Sequence, residues 1–418
     1  MTKKTAILIL MIVSILAGGF VLYMIFFYDN SPANQLTENG QVRRIGDIFP
    51  RSENQNVQQQ PSQPGVDVKI DPKANRLRLI TESSVAGFML SDKVATTTDN
   101  EQIIETTYKY IEKATGNVFE ANSTSLNLQR ITNTTIPRIQ EAIFFNNGNS
   151  VLLRYLNQNR EIETFVGRIL EKDPAEISTN EEGADLLEIK GVFLTKDIDY
   201  ITKKIGSDMF FYTKEGKGYT FDGKMPQDQR AILDQTITEF ISEWNDAGII
   251  LTTKASGLYE SFVFNLSPNG GQIRNIISGL NGITTKSNRS GGKIFYSSIF
   301  GGRIFNNIYI TNTSEGSLLL SQTFAEKCVW SNKEQNILYC AQPKRIPSGV
   351  MPDSWYQGIV STDDEIIKIN TDTGIIELVA SFPIPLDVIE PQLSENENYL
   401  VFMNKSDRTL WSLYIGKM

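Results

Sequence analysis

The chain has 418 residues, with 40 Lys and Arg against 48 Asp and Glu, a formal net charge of −8, and no histidine. The missing imidazole excludes Ser-His-Asp and Cys-His nucleophilic machinery and every His-ligated metal site, and mild acidity without a basic tract argues against nucleic acid as a partner. Two cysteines are too few for a Cys-rich zinc site, so carboxylate, lysine and tyrosine chemistry is what remains available.

The amino terminus reads as an anchor. Residues 1–5 form a short cytoplasmic stub holding Lys3 and Lys4. Residues 6–28, "AILILMIVSILAGGFVLYMIFFY", are an uncharged run of 23, against roughly 20 needed to cross a hydrocarbon core. A cleaved signal peptide would carry an apolar region of about 7–15 residues ending at a small-residue site. This run instead continues through Tyr23, Met24, Phe26 and Phe27 to Asp29 with no A-x-A pattern. The expectation is an uncleaved transmembrane signal anchor, with the remainder outside the cytoplasm because both lysines precede it. Residues 29–75 are polar, rich in Asn, Gln, Ser and Pro, and lack a sustained apolar period. They read as a flexible stalk, with an average reach of roughly 35–40 Å as a random coil.

From residue 76 to 418, short runs rich in Ile, Val, Phe and Tyr alternate with Asn, Gly, Ser and Asp clusters, the signature of an all-β domain. A hairpin recurs at 144–155, 244–253, 287–298, 330–341 and 393–404, with a weaker copy at 205–213. In three copies Phe145, Trp330 and Leu393 are followed seven residues later by Leu152, Ile337 and Leu400. Each hairpin precedes a third strand, and "SPNGG", "TSEGS" and "TDTGI" then supply turns into a fourth. The acidic "NTDTG" lacks the full ligand spacing of a calcium loop and reads as a turn. Antiparallel units of four strands repeating every 40–60 residues predict a β-propeller. The count is seven blades, with six and eight also open, and "RLRLIT" (76–81) is placed to complete the last blade and remove an open edge.

The turn "WSNKEQNILY" resembles the W-S-P-D-G-K-x-I-x-F turn of WD40-like repeats in TolB-like propellers, loosely and over most of residues 76–418. Only Trp244 and Trp330 keep the tryptophan, and no copy keeps P-D-G. The chain is also similar to membrane-anchored propeller proteins of small-genome bacteria in which "EKCVW", "YCA" and "PDSWYQG" recur. These resemblances imply a fold and an anchor, and no activity, because propellers host many functions.

Cys328 and Cys340 fall on the two strands of one hairpin. With the turn centred near Glu334 they lie directly opposite each other, within disulfide reach. The same register places Ile143 with Tyr155 and Pro391 with Met403 at the equivalent points of two other hairpins. Trp244, Trp330 and Trp411 are expected to pack between strands. The insertion 342–363 carries Lys344, Arg345, Asp353, Trp355 and Tyr356, which have the composition of an interaction patch. An ordered loop whose aromatics pack it onto its own blade is the other reading. In propellers such loops open on the face used for binding, so the resemblance implies that placement. A second insertion, 171–188, is an acidic, solvated excursion. No nucleophile elbow or phosphate loop is present, so no catalytic, cofactor or metal residue is assigned. The function expected is a non-catalytic scaffold in the cell envelope, binding a protein or glycan. The alternative is an envelope hydrolase using carboxylates that line the channel.

Overall fold

The computed structural model describes residues 76–96, 102–125, 127–134, 136–172, 187–237 and 239–416. The expected stub, membrane segment and stalk (residues 1–75), and most of the acidic excursion at 171–188, lie outside the described residues.

β-branched and aromatic runs become strands and the Gly/Asn clusters become turns. The strand β1 (Leu77–Thr81) is followed by a sheet of β2 (Val85–Thr96), β3 (Gln102–Glu112), β4 (Val118–Asn122) and β5 (Leu128–Arg130). The next two sheets are β6 (Ile139–Phe145), β7 (Ser150–Leu156), β8 (Ile162–Glu171) and β9 (Leu187–Phe193), then β10 (Tyr200–Lys203), β11 (Met209–Lys214), β12 (Lys217–Asp222) and β13 (Met225–Asp234). A larger sheet follows, of β14 (Phe240–Trp244), β15 (Ile249–Thr253), β16 (Glu260–Leu266), β17 (Arg274–Ser287), β18 (Lys293–Phe300), β19 (Arg303–Ile310) and β20 (Glu315–Leu319). Then come β21 (Cys328–Trp330), β22 (Ile337–Pro343), β23 (Asp364–Asn370) and β24 (Ile376–Ser381), and finally β25 (Val388–Leu393), β26 (Tyr399–Asn404) and β27 (Leu410–Tyr414). Within each sheet neighbouring strands are sequential and antiparallel, except that β1 lies beside β27. The first strand thus completes the last sheet, in the place the sequence assigns to "RLRLIT".

The seven-stranded sheet has one physical origin. The first part of β17 pairs with β16 and the second with β18, and the register shifts between Asn281 and Thr284. Gly279 and Gly282 take left-handed φ values of 75° and 63° beside that shift. A Cβ on Gly282 would come within 2.5 Å of Ile299, so only glycine lets the chain bend there without leaving the sheet.

Apolar side chains on facing sheets make the core. Ala86, Ile111 and Val118 meet Ile139, Phe144 and Val151; Phe145 and Leu152 meet Phe210 and Phe221; Phe211 and Leu233 meet Phe240 and Trp244; Phe295 and Ile308 meet Trp330 and Leu338; Ala341 and Ile366 meet Val388 and Leu400. The first sheet shares a core with the last through Val85, Phe88 and Tyr108 against Tyr399, Val401 and Leu410. Successive packing that returns to its start is a ring.

Cys328 pairs with Cys340 across β21 and β22 at a Cα separation of 4.1 Å, and the two are joined by a disulfide. A loop of this length contributes roughly 3 kcal/mol in the chain-entropy account. The equivalent pairs expected in other hairpins are corrected. Ile143 faces Leu152 rather than Tyr155, and Met403 faces Ile389 rather than Pro391. The spacing is shared but the turns differ. Asn146 and Asn147 take left-handed φ and close the β6–β7 turn so that Phe145 faces Ser150, whereas Trp330 faces Leu338. A β-bulge in β25 between Ile389 and Gln392 shifts the third hairpin. Trp244 and Trp330 are buried in the inter-sheet cores, as expected of packing residues.

Candidate functional site

Side chains on one strand face alternate, and this aims a set of polar groups at the centre of the ring. On β14, Phe240 and Trp244 turn into the inter-sheet core while Ile241 and Glu243 are half-buried. Ile241 and Glu243 line a cavity of about 460 Å³ together with Tyr200 from β10, Lys286 from β17, and Ile389 and Glu390 from β25. Glu326, in the 3-10 turn Ala325–Lys327 ahead of β21, Tyr356 and one edge of Trp355 also line it. A second cavity of about 640 Å³, lined by Arg289, Trp330 and Asn332, shares Lys286 with the first, so this lysine borders both cavities of the channel region.

The carboxylates are held individually. Glu243 accepts the Ser287 amide at 2.7 Å, and Glu326 accepts the Tyr356 hydroxyl at 2.6 Å. Glu390 sits on the β25 bulge with φ of 52°, its carboxylate 3.5 Å from Arg408. Burial pushes all three carboxyls above the usual range, and Lys286 and Arg408 only partly offset it. Glu390 is walled by protein yet half of its side chain faces the channel, so its shift is the most open to solvent screening. Burial, then repulsion from Glu141, Glu326, Glu243 and Glu390, raises the Tyr200 phenol. The channel therefore presents hydroxyl donors and carboxyls poised to hold a proton, a surface suited to hydrogen-bonding a polar ligand.

A carboxyl whose folded pKa lies above its unfolded value binds more protons in the folded state, so its contribution to stability fades as pH rises through the folded pKa. The melting midpoint is accordingly expected to rise as pH is lowered from neutrality toward the unfolded value near 4.3, because the raised glutamates regain protons above that value. Glu326→Gln should flatten that slope in a differential scanning series; an unchanged slope would remove Glu326 from the account.

The aromatic insertion divides into two roles. Its short helix α1 (Asp353–Tyr356) sits between β22 and β23. Trp355, expected as an exposed patch residue in one of the two readings, is 3% exposed. Its Nε1 donates to both oxygens of Asp387 at 3.0 Å, its ring stacks on Phe324 at 5.3 Å, and Lys327 and Lys405 each lie 5.0 Å over it. Tyr356 beside it faces the channel. Asp353 accepts the Gly257 amide at 2.8 Å and ties the insertion to the β15–β16 loop. Lys344 pairs with Asp363 at 3.0 Å, and Arg345 is exposed.

Sequence reasoning missed Lys327. It is wholly buried, and its Nζ donates to Asp387 at 2.6 Å, Asp364 at 2.7 Å, Thr362 at 2.8 Å and the Val388 carbonyl at 3.2 Å. Burial would raise Asp387, but Lys327, Thr362 and Trp355 hold it below the usual carboxylate range. Asp364 is raised, since burial outweighs Lys327 there, and its Oδ1 has no partner. The sequence signal was weak: a lysine between Ala325 and Cys328 at the start of a buried strand, and aspartates at the starts of two others.

The fold class these features define is an all-β propeller, established by the sheet order and the closing of the ring. No family model and no curated protein matches the chain. Similar solved structures include a protein assigned as TolB from Agrobacterium tumefaciens, at 11% identity over 54% of this chain and 84% of that one, with a TM-score of 0.38. The Pan2 WD40 domain of Neurospora crassa aligns at 9% identity over 80% of this chain and 90% of that one, TM-score 0.49. An oligogalacturonate lyase in complex with manganese aligns at 10% identity over 80% of this chain and 99% of that one, TM-score 0.43.

Proposed function

We propose that the chain is a single-pass, membrane-anchored propeller of seven blades, with β17 divided between two of them, working as a non-catalytic scaffold in the cell envelope. Its partner, a protein or glycan, meets the channel mouth. The observation that carries this is the mixed lining of the channel. Tyr200 of β10, Glu243 of β14, Lys286 of β17, Glu326 of the turn before β21 and Tyr356 of α1 converge on a cavity of about 460 Å³, where apolar side chains would otherwise fill the centre. Convergent polar groups with hydrophobic neighbours are the pattern of a ligand site. The sequence supplies the anchor (6–28) and the tether (29–75).

A photo-crosslinking residue at Tyr356, in chain expressed in its native membrane, should capture one envelope partner, and Glu326→Gln should weaken the capture. Failure to capture anything would overturn the scaffold reading. The raised carboxyls favour one second reading, the envelope hydrolase, since a protonated glutamate is the acid such chemistry requires. Glycan cleavage by the purified chain, lost in Glu326→Gln, would replace the scaffold by that enzyme.

A further inference from the structure

Away from the channel, the rim formed by three loops exposes an apolar patch. Leu258 and Tyr259 in the β15–β16 loop are 63% and 72% exposed, Phe300 at the end of β18 is 80% exposed and Leu320 after β20 is 86% exposed. Leu280 of β17 and Val350 of the aromatic insertion join them. The contacts beneath show that these residues are neighbours. Gly257 bonds Asp353 from the insertion, Asn281 donates to the Gly257 carbonyl at 3.2 Å, and Asn281 pairs with Ile299, next to Phe300. The Phe300 ring meets Phe305 edge-on at 6.5 Å, and Phe305 is one step from the Asn306–Leu319 pair, which brings Leu320 to the same face.

Isolated exposed leucines are ordinary, but a contiguous group of large apolar side chains marks an interaction surface. Leu258, Tyr259 and Phe300 sit at turn tips, and Leu320 follows β20, the outer strand of its sheet. The Phe300 tip continues through Gly301 and Gly302, whose Cβ positions have no heavy atom within 4 Å, to an exposed Arg303. Aromatic and leucine tips with a flanking arginine suit the boundary between headgroup and acyl chain: the rings lie at the interface and the long cation reaches the headgroups. Arg345 is exposed on the same insertion as Val350. The tether supplies the occupant. In the membrane-anchored reading, only residues 29–75 separate the anchor from the domain, so lipid is an apolar phase within reach of the rim.

We propose that this rim docks on the lipid surface, Phe300 and Leu320 entering the extracytoplasmic leaflet of the membrane that carries the anchor. The proposal rests on the membrane-anchored reading, and one experiment separates the two. The full chain with Phe300→Cys, its native cysteines occupied in the disulfide, is labelled with an environment-sensitive fluorophore. It is then reconstituted in phosphatidylcholine–phosphatidylglycerol vesicles containing a nitroxide lipid. Glu334→Cys, at the other end of β22, is the control. Docking predicts quenching several-fold stronger at 300 than at 334, reduced when Leu258 and Leu320 are replaced by aspartate. Equal, weak quenching at both sites in a chain that alkaline carbonate does not extract overturns the docking and leaves the anchor standing. Carbonate extraction would overturn the anchor, and quenching at 300 in floated vesicles then still decides the docking. A blue shift at 300 that grows with protein density, without lipid quenching, assigns the patch to a second copy or a protein partner and overturns the proposal.

Discussion

Lys327→Met is expected to destabilise the propeller by about 3–5 kcal/mol, the cost of removing one partner from a buried ion pair. The methionine fills the space left by the stem, so the loss reports charge and hydrogen bonding more than a cavity. Two aspartates then lack their cation, and they respond differently. Asp387 keeps donors from Trp355, from Ser361 at 2.9 Å, and from the Thr362 amide at 3.1 Å and hydroxyl at 2.8 Å. Asp364 retains the Val388 amide at 2.8 Å. Asp364→Asn should therefore be milder, about 1.5–3 kcal/mol, the scale of a hydrogen bond to a charged group, because its carboxyl is already raised and one oxygen is unpartnered. Urea unfolding of both variants, with an unchanged m-value, checks the order. If Asp364→Asn costs more than Lys327→Met, the assignment of the charge to Asp387 is wrong.

The fold was more legible than the site, for reasons visible in individual residues. Strands bounded by Asn and Gly announce themselves locally, and the disulfide could be placed because Cys328 and Cys340 flank a turn whose centre is readable. β1 was legible because the last hairpin and third strand lacked a fourth partner. The bend in β17 was not, since "SGLNG" looks like a loop between sheets and only the fit of Gly282 against Ile299 shows that pairing continues. The turns of the repeat misled in another way: seven-residue spacing is common to Phe145, Trp330 and Leu393, yet left-handed asparagines and a bulge give each a different pairing. The channel was the least legible. Tyr200, Glu243, Lys286, Glu326 and Glu390 span 190 positions of sequence, and each inner strand contributes one or two inward groups that look like ordinary surface residues. Buried aspartates partnered with Lys327 carry no local mark, because long-range pairing creates the environment that makes them unusual.

Adjacent residues in the aromatic insertion should behave in opposite ways, and this is the sharpest test of the division drawn there. Trp355→Ala is expected to cost about 3–5 kcal/mol, the range for truncating a large buried aromatic. The change empties the space between Phe324 and the two lysines and removes the indole donor from Asp387. Tyr356→Phe keeps the ring and removes one hydroxyl, so its stability loss should be about 0.5–1.5 kcal/mol. Its effect belongs to the channel instead. The Tyr356 hydroxyl lowers the Glu326 pKa against the larger upward push of burial, so losing it should raise that pKa further and steepen the fall in stability as pH increases. Carbon-13 NMR titration of labelled glutamate would follow the carboxyl directly. A Trp355→Ala protein as stable as the parent would return the indole to the surface and revive it as a partner contact. A Tyr356→Phe protein with an unmoved Glu326 titration would show that the phenol and carboxyl do not share a proton bridge, and the channel would lose its best-defined pair. With both outcomes as expected, the tryptophan holds the insertion against the ring so that the tyrosine can face the channel, and the same few residues position the mouth that a partner would meet.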